Sequence, residues 1–239
     1  IVKTAFLDKE LNEFYNLSSA NSINIARLIP QSFYYFEAFK QKQSDKPLVF
    51  AIPSGNFGNL TAGLFAKKMG LPIHHFIAAT NANDVVPEYL FSGEYQPRSS
   101  VRTISNAMDV GSPSNFARMM DLYGSTWNII KKDISGYFFY DAETRQGVKE
   151  VYDKFNYTID PHGAVGYLAL KEYQKENPNT NGIILETAHP SKFIDDMEDI
   201  LKMGIHIPER LAVLKTKKKV SVRMDNDYSS FKEWLMNNY

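Results

Sequence analysis

Residues 48–59 read LVFAIPSGNFGN, a short apolar run that ends abruptly in a loop with two glycines. The run is apolar on both faces and rich in strand formers, which predicts a strand buried inside a parallel sheet. Beyond the loop, Leu60, Leu64, Phe65 and Met69 recur at helical spacing, Lys67 and Lys68 face the other way, and Gly70 stands where a helix C-cap belongs. Residues 72–79 then read as a second strand. Strand, tight loop, helix and strand within about 30 residues make a βαβ unit, whose crossover in a parallel sheet is nearly always right-handed. The fold class is therefore α/β.

The rest of the composition narrows what such a fold can do. The chain has 239 residues, 44% apolar and 23% charged, enough for a sizeable core and too ordinary for disorder or a coiled coil. Lys plus Arg and Asp plus Glu both total 27, so no global field steers nucleic acid or an anionic membrane toward it. Cysteine is absent, which excludes disulfides, thiolate metal sites and cysteine nucleophiles and fits a reducing interior. No apolar run approaches the roughly 20 residues of a membrane span, and the start IVKTAFLDKE has no signal-peptide pattern, so the cytoplasm is the expected compartment. The first residue is Ile1 rather than Met, which fits a processed product or a piece of something longer.

Elsewhere helix and strand signals alternate without repeats or a Gly/Ser linker. Residues 21–41 have a helical period interrupted by Pro30, predicting a kinked helix or two helices meeting there. Helices are expected at 83–91 and at 114–123, the latter capped by Ser114, with a polar stretch at 93–109 between them that is a surface excursion or an insertion near the site. Asp160 and Pro161 open a helix striped by Val165, Leu168, Ala169 and Tyr173. GIILE is another buried strand, after which Ser191 caps a helix, and Phe231, Trp234 and Leu235 mark a C-terminal one. This divides the chain into a helical lead-in, 1–45, and a large domain, 46–239.

Gly55 and Gly58 lie between a buried strand and a helix start, where backbone N–H groups lack partners and the helix dipole is positive. Such a loop can cradle an anion. It matches neither GxxxxGK[ST] nor GxGxxG, and its spacing alone fits a plain βα turn equally well; Asn56 and Asn59, short amides able to donate to a phosphate oxygen, favour the cradle. Thr187, after the GIILE strand, falls at a second strand end, and ligands of open α/β sheets sit outside such ends. On position alone Thr187 is an ordinary turn residue. The five histidines contain no HExxH and no i, i+4 pair, and no GxSxG elbow occurs, so zinc and serine chemistry are not expected. The residues alone stop at a phosphate-bearing ligand over an α/β sheet.

Six stretches, NSINIARLIPQ with YYFEAF close behind, PSGNFGNLTAG, FIAATNANDVVP, SNAMDVGSPSNF, DPHGAVGY and ETAHPSKF, together resemble in their order the threonine synthase family. The resemblance runs from Asn21 to Phe193. It implies the three-layer, parallel-sheet fold of the tryptophan-synthase-β type (fold type II), with its N-terminal part missing. It also implies pyridoxal 5'-phosphate as cofactor, O-phosphohomoserine as substrate, and L-threonine and phosphate as products. No nucleic acid or membrane partner is implied, and the oligomeric state is left open. By the same resemblance Gly55, Asn56, Phe57, Gly58 and Asn59 wrap the cofactor phosphate and Thr187 faces the pyridine nitrogen. Asn21, Ser22, Asn24 and Arg27 form a polar substrate cluster, in which Arg27 holds a phosphate or carboxylate or makes a structural ion pair.

The family holds its cofactor as a Schiff base on a lysine in an FKD-like segment, and binds the cofactor's 3-oxygen and the substrate carboxylate through an SGDTG-like loop. Neither is present here; Phe39 and Lys40 are followed by Gln41. The expectation is a C-terminal portion that holds no catalytic lysine, is inactive alone, and exposes apolar surface. A threonine or serine dehydratase of the same fold and a non-catalytic phosphate-binding module are the alternatives.

Overall fold

The structure, a computed structural model, describes residues 1–238. In chain order it contains α1 (Val2–Leu7), α2 (Lys9–Phe14), α3 (Leu28–Gln41), β1 (Leu48–Pro53), α4 (Gly58–Lys68) and β2 (His75–Thr80). Then follow α5 (Val85–Ser92), α6 (Phe116–Leu122), α7 (Trp127–Asp133), β3 (Ile134–Phe138), α8 (Asp141–Phe155) and α9 (Pro161–Glu176). The last elements are β4 (Asn181–Ile184), α10 (Ile194–Leu201), α11 (Glu209–Ala212) and α12 (Tyr228–Asn238).

Two compact units result, residues 25–206 and residues 1–24 together with 207 onward. The boundary drawn from sequence at 45/46 thus falls inside a unit. The reason is α3, whose Leu28 and Tyr35 are fully buried in the same core as Phe50 of β1 and Leu60 of α4. In the smaller unit Asp8 caps α2 and accepts hydrogen bonds from the Tyr228 hydroxyl at 2.6 Å and Lys232 at 2.8 Å, tying α2 to α12.

The larger unit is built on a parallel sheet of order β3-β2-β1-β4. β1 and β2 are buried at every position, as an apolar run without alternation requires. Successive side chains nevertheless point to opposite faces. Phe50, Ile52, Phe76 and Ala78 join the core under α3, α4 and α5, whereas Val49, Ala51, Ile77 and Ala79 pack against Val165, Ala169 and Tyr173 of α9. A third cluster, including Val148, Ala164, Phe193 and Met197, joins α8, α9 and α10. The layers are therefore helix, sheet and helix, as the sequence implied. Gly63 brings α4 close: a methyl group there would lie 2.5 Å from the Tyr35 ring and 2.8 Å from that of Phe76.

Several details differ from the sequence reading. Pro30 does not kink a helix; it is the third residue of α3, where its missing N–H has no intrahelical acceptor to lose. β3 escaped notice because ISGYF has no continuous apolar run; its Gly136 is needed where a side chain would meet Pro87 of α5 at 2.5 Å. Ser114 does not cap α6, whose preceding residue is Asn115, and Ser191 caps nothing, since His189 takes that role for the turn at 190–193. Exposed apolar surface is present: Ile25, Ile29 and Phe33, four residues apart, are each more than half exposed.

Candidate active site

β1 is followed in sequence by β2 on one side and flanked on the other by β4, so the chain's direction of travel reverses between β1 and β4. Crevices at the carboxyl ends of strands open at such reversals. Both loops singled out from sequence lie there: 54–59 follows β1 and 185–189 follows β4. A cleft of about 380 Å³ between them is lined by Arg27, Pro30, Gln31, Tyr34, Asn59 and Thr187.

The first loop is held in an unusual shape. Phe57, the residue preceding α4, adopts the left-handed conformation at φ 58°, which costs a non-glycine residue roughly 1–2 kcal/mol. Its ring is buried in the core and offsets that cost. Asn59 fastens the loop from within, its Oδ1 accepting from the Ser54 hydroxyl at 2.8 Å and from the Leu60 N–H at 2.9 Å, while its Nδ2 donates to the Pro53 carbonyl at 2.8 Å. Asn56 is gripped from outside. Its Oδ1 accepts from the Ser114 N–H at 2.6 Å and hydroxyl at 3.0 Å, and its carbonyl accepts from Asn115 Nδ2 at 2.9 Å. The two asparagines therefore shape the loop, rather than serving first as donors to an anion. The anion-binding capacity lies in the backbone N–H groups at the start of the eleven-residue α4.

Thr187 is exposed and lines the cleft. Its neighbour Glu186 turns the other way, accepting from the Tyr157 hydroxyl at 2.7 Å and the Asp160 N–H at 3.0 Å. Burial pushes the Glu186 carboxyl up, to about 7; Tyr157 and the Asp160 N–H oppose this, and the Asp160 side chain adds to it. Asp160 is fully buried as the N-cap of α9, its Oδ1 accepting from the His162 N–H at 2.8 Å and lying 2.9 Å from Nδ1 of the same ring. From sequence, Glu186 belongs to the same strand-end stretch as Thr187 and Asp160 opens α9, but the pairing of Glu186 with Tyr157 and Asp160 is not legible there. An acid directly beside a predicted ligand residue was the available signal.

Of the expected substrate cluster, Arg27 lines the cleft with Asn59 and Thr187. Asn21, Ser22 and Asn24 belong to the smaller unit and make local turn bonds: Ser22 donates to Asn21 Oδ1 at 3.2 Å and Asn24 to the Ser19 carbonyl at 3.0 Å. Gln31 and Tyr34 are cleft residues the sequence reading did not name. Arg98, in the polar excursion, pairs with Asp84 and Glu88 instead of reaching the cleft. Among the described residues no helix is long and apolar enough to cross a membrane, and no group of three or more His, Cys, Asp or Glu side chains could hold a metal ion.

A parallel sheet covered on both faces, with a glycine loop and Thr187 at its reversal point, is the α/β arrangement that the chain shares with fold-type-II pyridoxal-phosphate enzymes, which are its structural neighbours. Comparison with known proteins sharpens this. Residues 163–235 match the family profile described as threonine synthase, C-terminal. Threonine synthase of Haemophilus influenzae is 45% identical over 99% of this chain and 55% of its own. The crystal structure of the Escherichia coli threonine synthase superposes with a TM-score of 0.92 at 42% identity, covering 100% of this chain and 55% of that one. A pyridoxal-phosphate-bound threonine synthase from Brucella melitensis gives 0.86 at 31%, covering 99% and 56%. The chain belongs to the threonine synthase family and spans about half the length of the curated relatives it matches.

Proposed function

We propose that this chain supplies the phosphate-binding and ring-facing side of a threonine synthase active site. The whole protein converts O-phosphohomoserine and water to L-threonine and inorganic phosphate with pyridoxal 5'-phosphate. The observation that carries this reading is the single cleft lined by Asn59, Thr187 and Arg27 at the β1/β4 reversal.

The residues present fit the cofactor. The N–H groups of residues 55–59, at the positive end of α4, suit a phosphate dianion, and the loop is already fastened in shape by Asn56 and Asn59. The Thr187 hydroxyl can donate to or accept from a ring nitrogen; being neutral, it does not force that nitrogen to stay protonated. When bound, the cofactor supplies an electron-withdrawing ring. Arg27 presents a planar fork suited to the substrate's phosphate or carboxylate. Asn21, Ser22 and Asn24 remain proposed substrate-side residues on resemblance alone.

No stretch of the chain resembles the lysine-bearing segment of the family, so the chain by itself binds cofactor without turnover. The exposed face of Ile25, Ile29 and Phe33 is assigned to the half of the fold that the relatives carry beyond this match. The cytoplasm is the compartment that suits a cysteine-free biosynthetic enzyme.

The test is equilibrium binding of pyridoxal 5'-phosphate and of pyridoxal to this chain. Tighter binding of the phosphorylated form is expected, and Thr187→Val should weaken both ligands alike. In the complemented enzyme, O-phosphohomoserine should release phosphate. Ammonia release from threonine in its place would refute the assignment in favour of a dehydratase.

A further inference from the structure

The geometry points to Asp109 as a positioning residue that sets the shape of the phosphate loop from outside it. The inference rests on the reading of residues 55–59 as a phosphate cradle. Asp109 lies at the end of the polar excursion that leaves α5, just after the single turn Asn106–Met108.

Its carboxylate is surrounded by donors. Oδ1 accepts from Asn81 Nδ2 at 2.8 Å, the Thr103 hydroxyl at 2.7 Å and Asn83 Nδ2 at 3.3 Å, and Oδ2 accepts from the Thr103 N–H at 3.1 Å. Asn81, Asn83, Thr103 and Ser105 are themselves buried. Asn81 directly follows β2, so this network stands at the carboxyl end of the strand beside the one that carries the cradle. Buried networks of this kind hold one geometry when every member is satisfied and lose it when one is not.

What the network fixes is the next contact. A methyl group on Gly55 would lie 2.6 Å from Met108 Cα and 3.1 Å from the Ala107 carbonyl oxygen, so the backbone preceding Asp109 is pressed directly against the first glycine of the cradle. Further along the same segment, Ser114 and Asn115 bond Asn56. The segment closes on itself through the Arg98 N–H and the Gly111 carbonyl at 2.9 Å. It therefore touches the cradle at two points, and Asp109 ties it to the end of β2 between them. Asp109 has no part in the chemistry; it acts through Met108 on Gly55.

Asp109→Asn keeps size and shape but places an N–H₂ among donors, so the turn must shift. Thr103→Val is the milder companion, removing one donor and no charge. Binding of pyridoxal 5'-phosphate and of pyridoxal, with amide hydrogen exchange of residues 55–60, separates positioning from general stability. We expect the preference for the phosphorylated ligand to fall about tenfold in Asp109→Asn, the worth of one charge-assisted contact, and less in Thr103→Val. The loop amides should lose protection while those of β4 do not. Unchanged preference and unchanged loop protection would overturn the role. Equal loss of both ligands with loss of protection throughout the sheet would reduce it to ordinary stabilisation and overturn it too. A wild-type chain with no preference would refute the cradle itself, and loop exchange in Asp109→Asn would still decide whether Asp109 sets the loop.

Discussion

The Tyr35 hydroxyl donates to the Asn59 carbonyl at 2.6 Å, joining the helix ahead of the sheet to the first turn of the helix that follows β1. Tyr35 is fully buried, and burial holds its hydroxyl well above its ordinary pKa, so it stays a donor across the working range. Tyr35→Phe should cost about 1 kcal/mol by urea denaturation. The same change should weaken pyridoxal 5'-phosphate binding a few-fold, since the carbonyl belongs to the cradle.

Asn59→Ala removes three hydrogen bonds at once and frees the Ser54 hydroxyl and the Leu60 N–H. A loss of about 2–3 kcal/mol is expected from the unsatisfied groups. Phosphate-dependent ligand binding should disappear before folding does, which binding measured well below the melting temperature will test.

Gly63→Ala should destabilise by about 1–3 kcal/mol through overpacking, because its methyl group meets two aromatic rings. Double substitution with Tyr35→Leu should recover part of that loss, as the denaturation midpoints will reveal.

His75 stacks on Tyr173 at 5.2 Å, with Nε2 2.8 Å from the Ser135 hydroxyl, and burial, with His74 and Lys67 nearby, lowers its pKa to about 4. The neutral ring is thus the folded form. Its stabilising contribution is complete above the unfolded value of 6.5 and is lost as pH falls toward 4. From pH 7 to pH 5 the loss is about 2 kcal/mol. His75→Gln should flatten that part of the stability profile.

Glu186 has the opposite sign. Its folded pKa of about 7 lies above the ordinary 4.5, so the folded state takes up a proton that the unfolded chain has released, and stability falls as pH rises from 4.5 through 7. Glu186→Gln should remove this decline and leave the variant more stable than the wild type at pH 8, measured by thermal melting at several pH values.

What the sequence made legible was local. The buried run, the glycine loop and α4 follow one another within about twenty residues, and each signals itself by periodicity or turn chemistry. Asp160 and Pro161 likewise announced α9. Contacts over long separations stayed hidden: Asn56 depends on Ser114, 58 residues away, and Asn81 on Asp109, 28 residues away. Pro30 misled because the rule for a helix interior was applied in a first turn. The rule for strand ends places the loops of Asn59 and Thr187 over one crevice, as the structure shows; what stayed hidden is that β4 pairs beside β1 to bring this about.

Ligand-binding loops are usually drawn from the least stable parts of a fold. Here β1, bonded to a neighbour on each edge and buried at every position, leads straight into the cradle. The strand end of the cradle is thus anchored in the middle of the sheet, and what remains adjustable is its own turn and its contacts with the 106–115 segment. On the proposed reading, residues 55–59 are the anchored jaw of the site, and ligand exchange falls to the groups across the cleft from them.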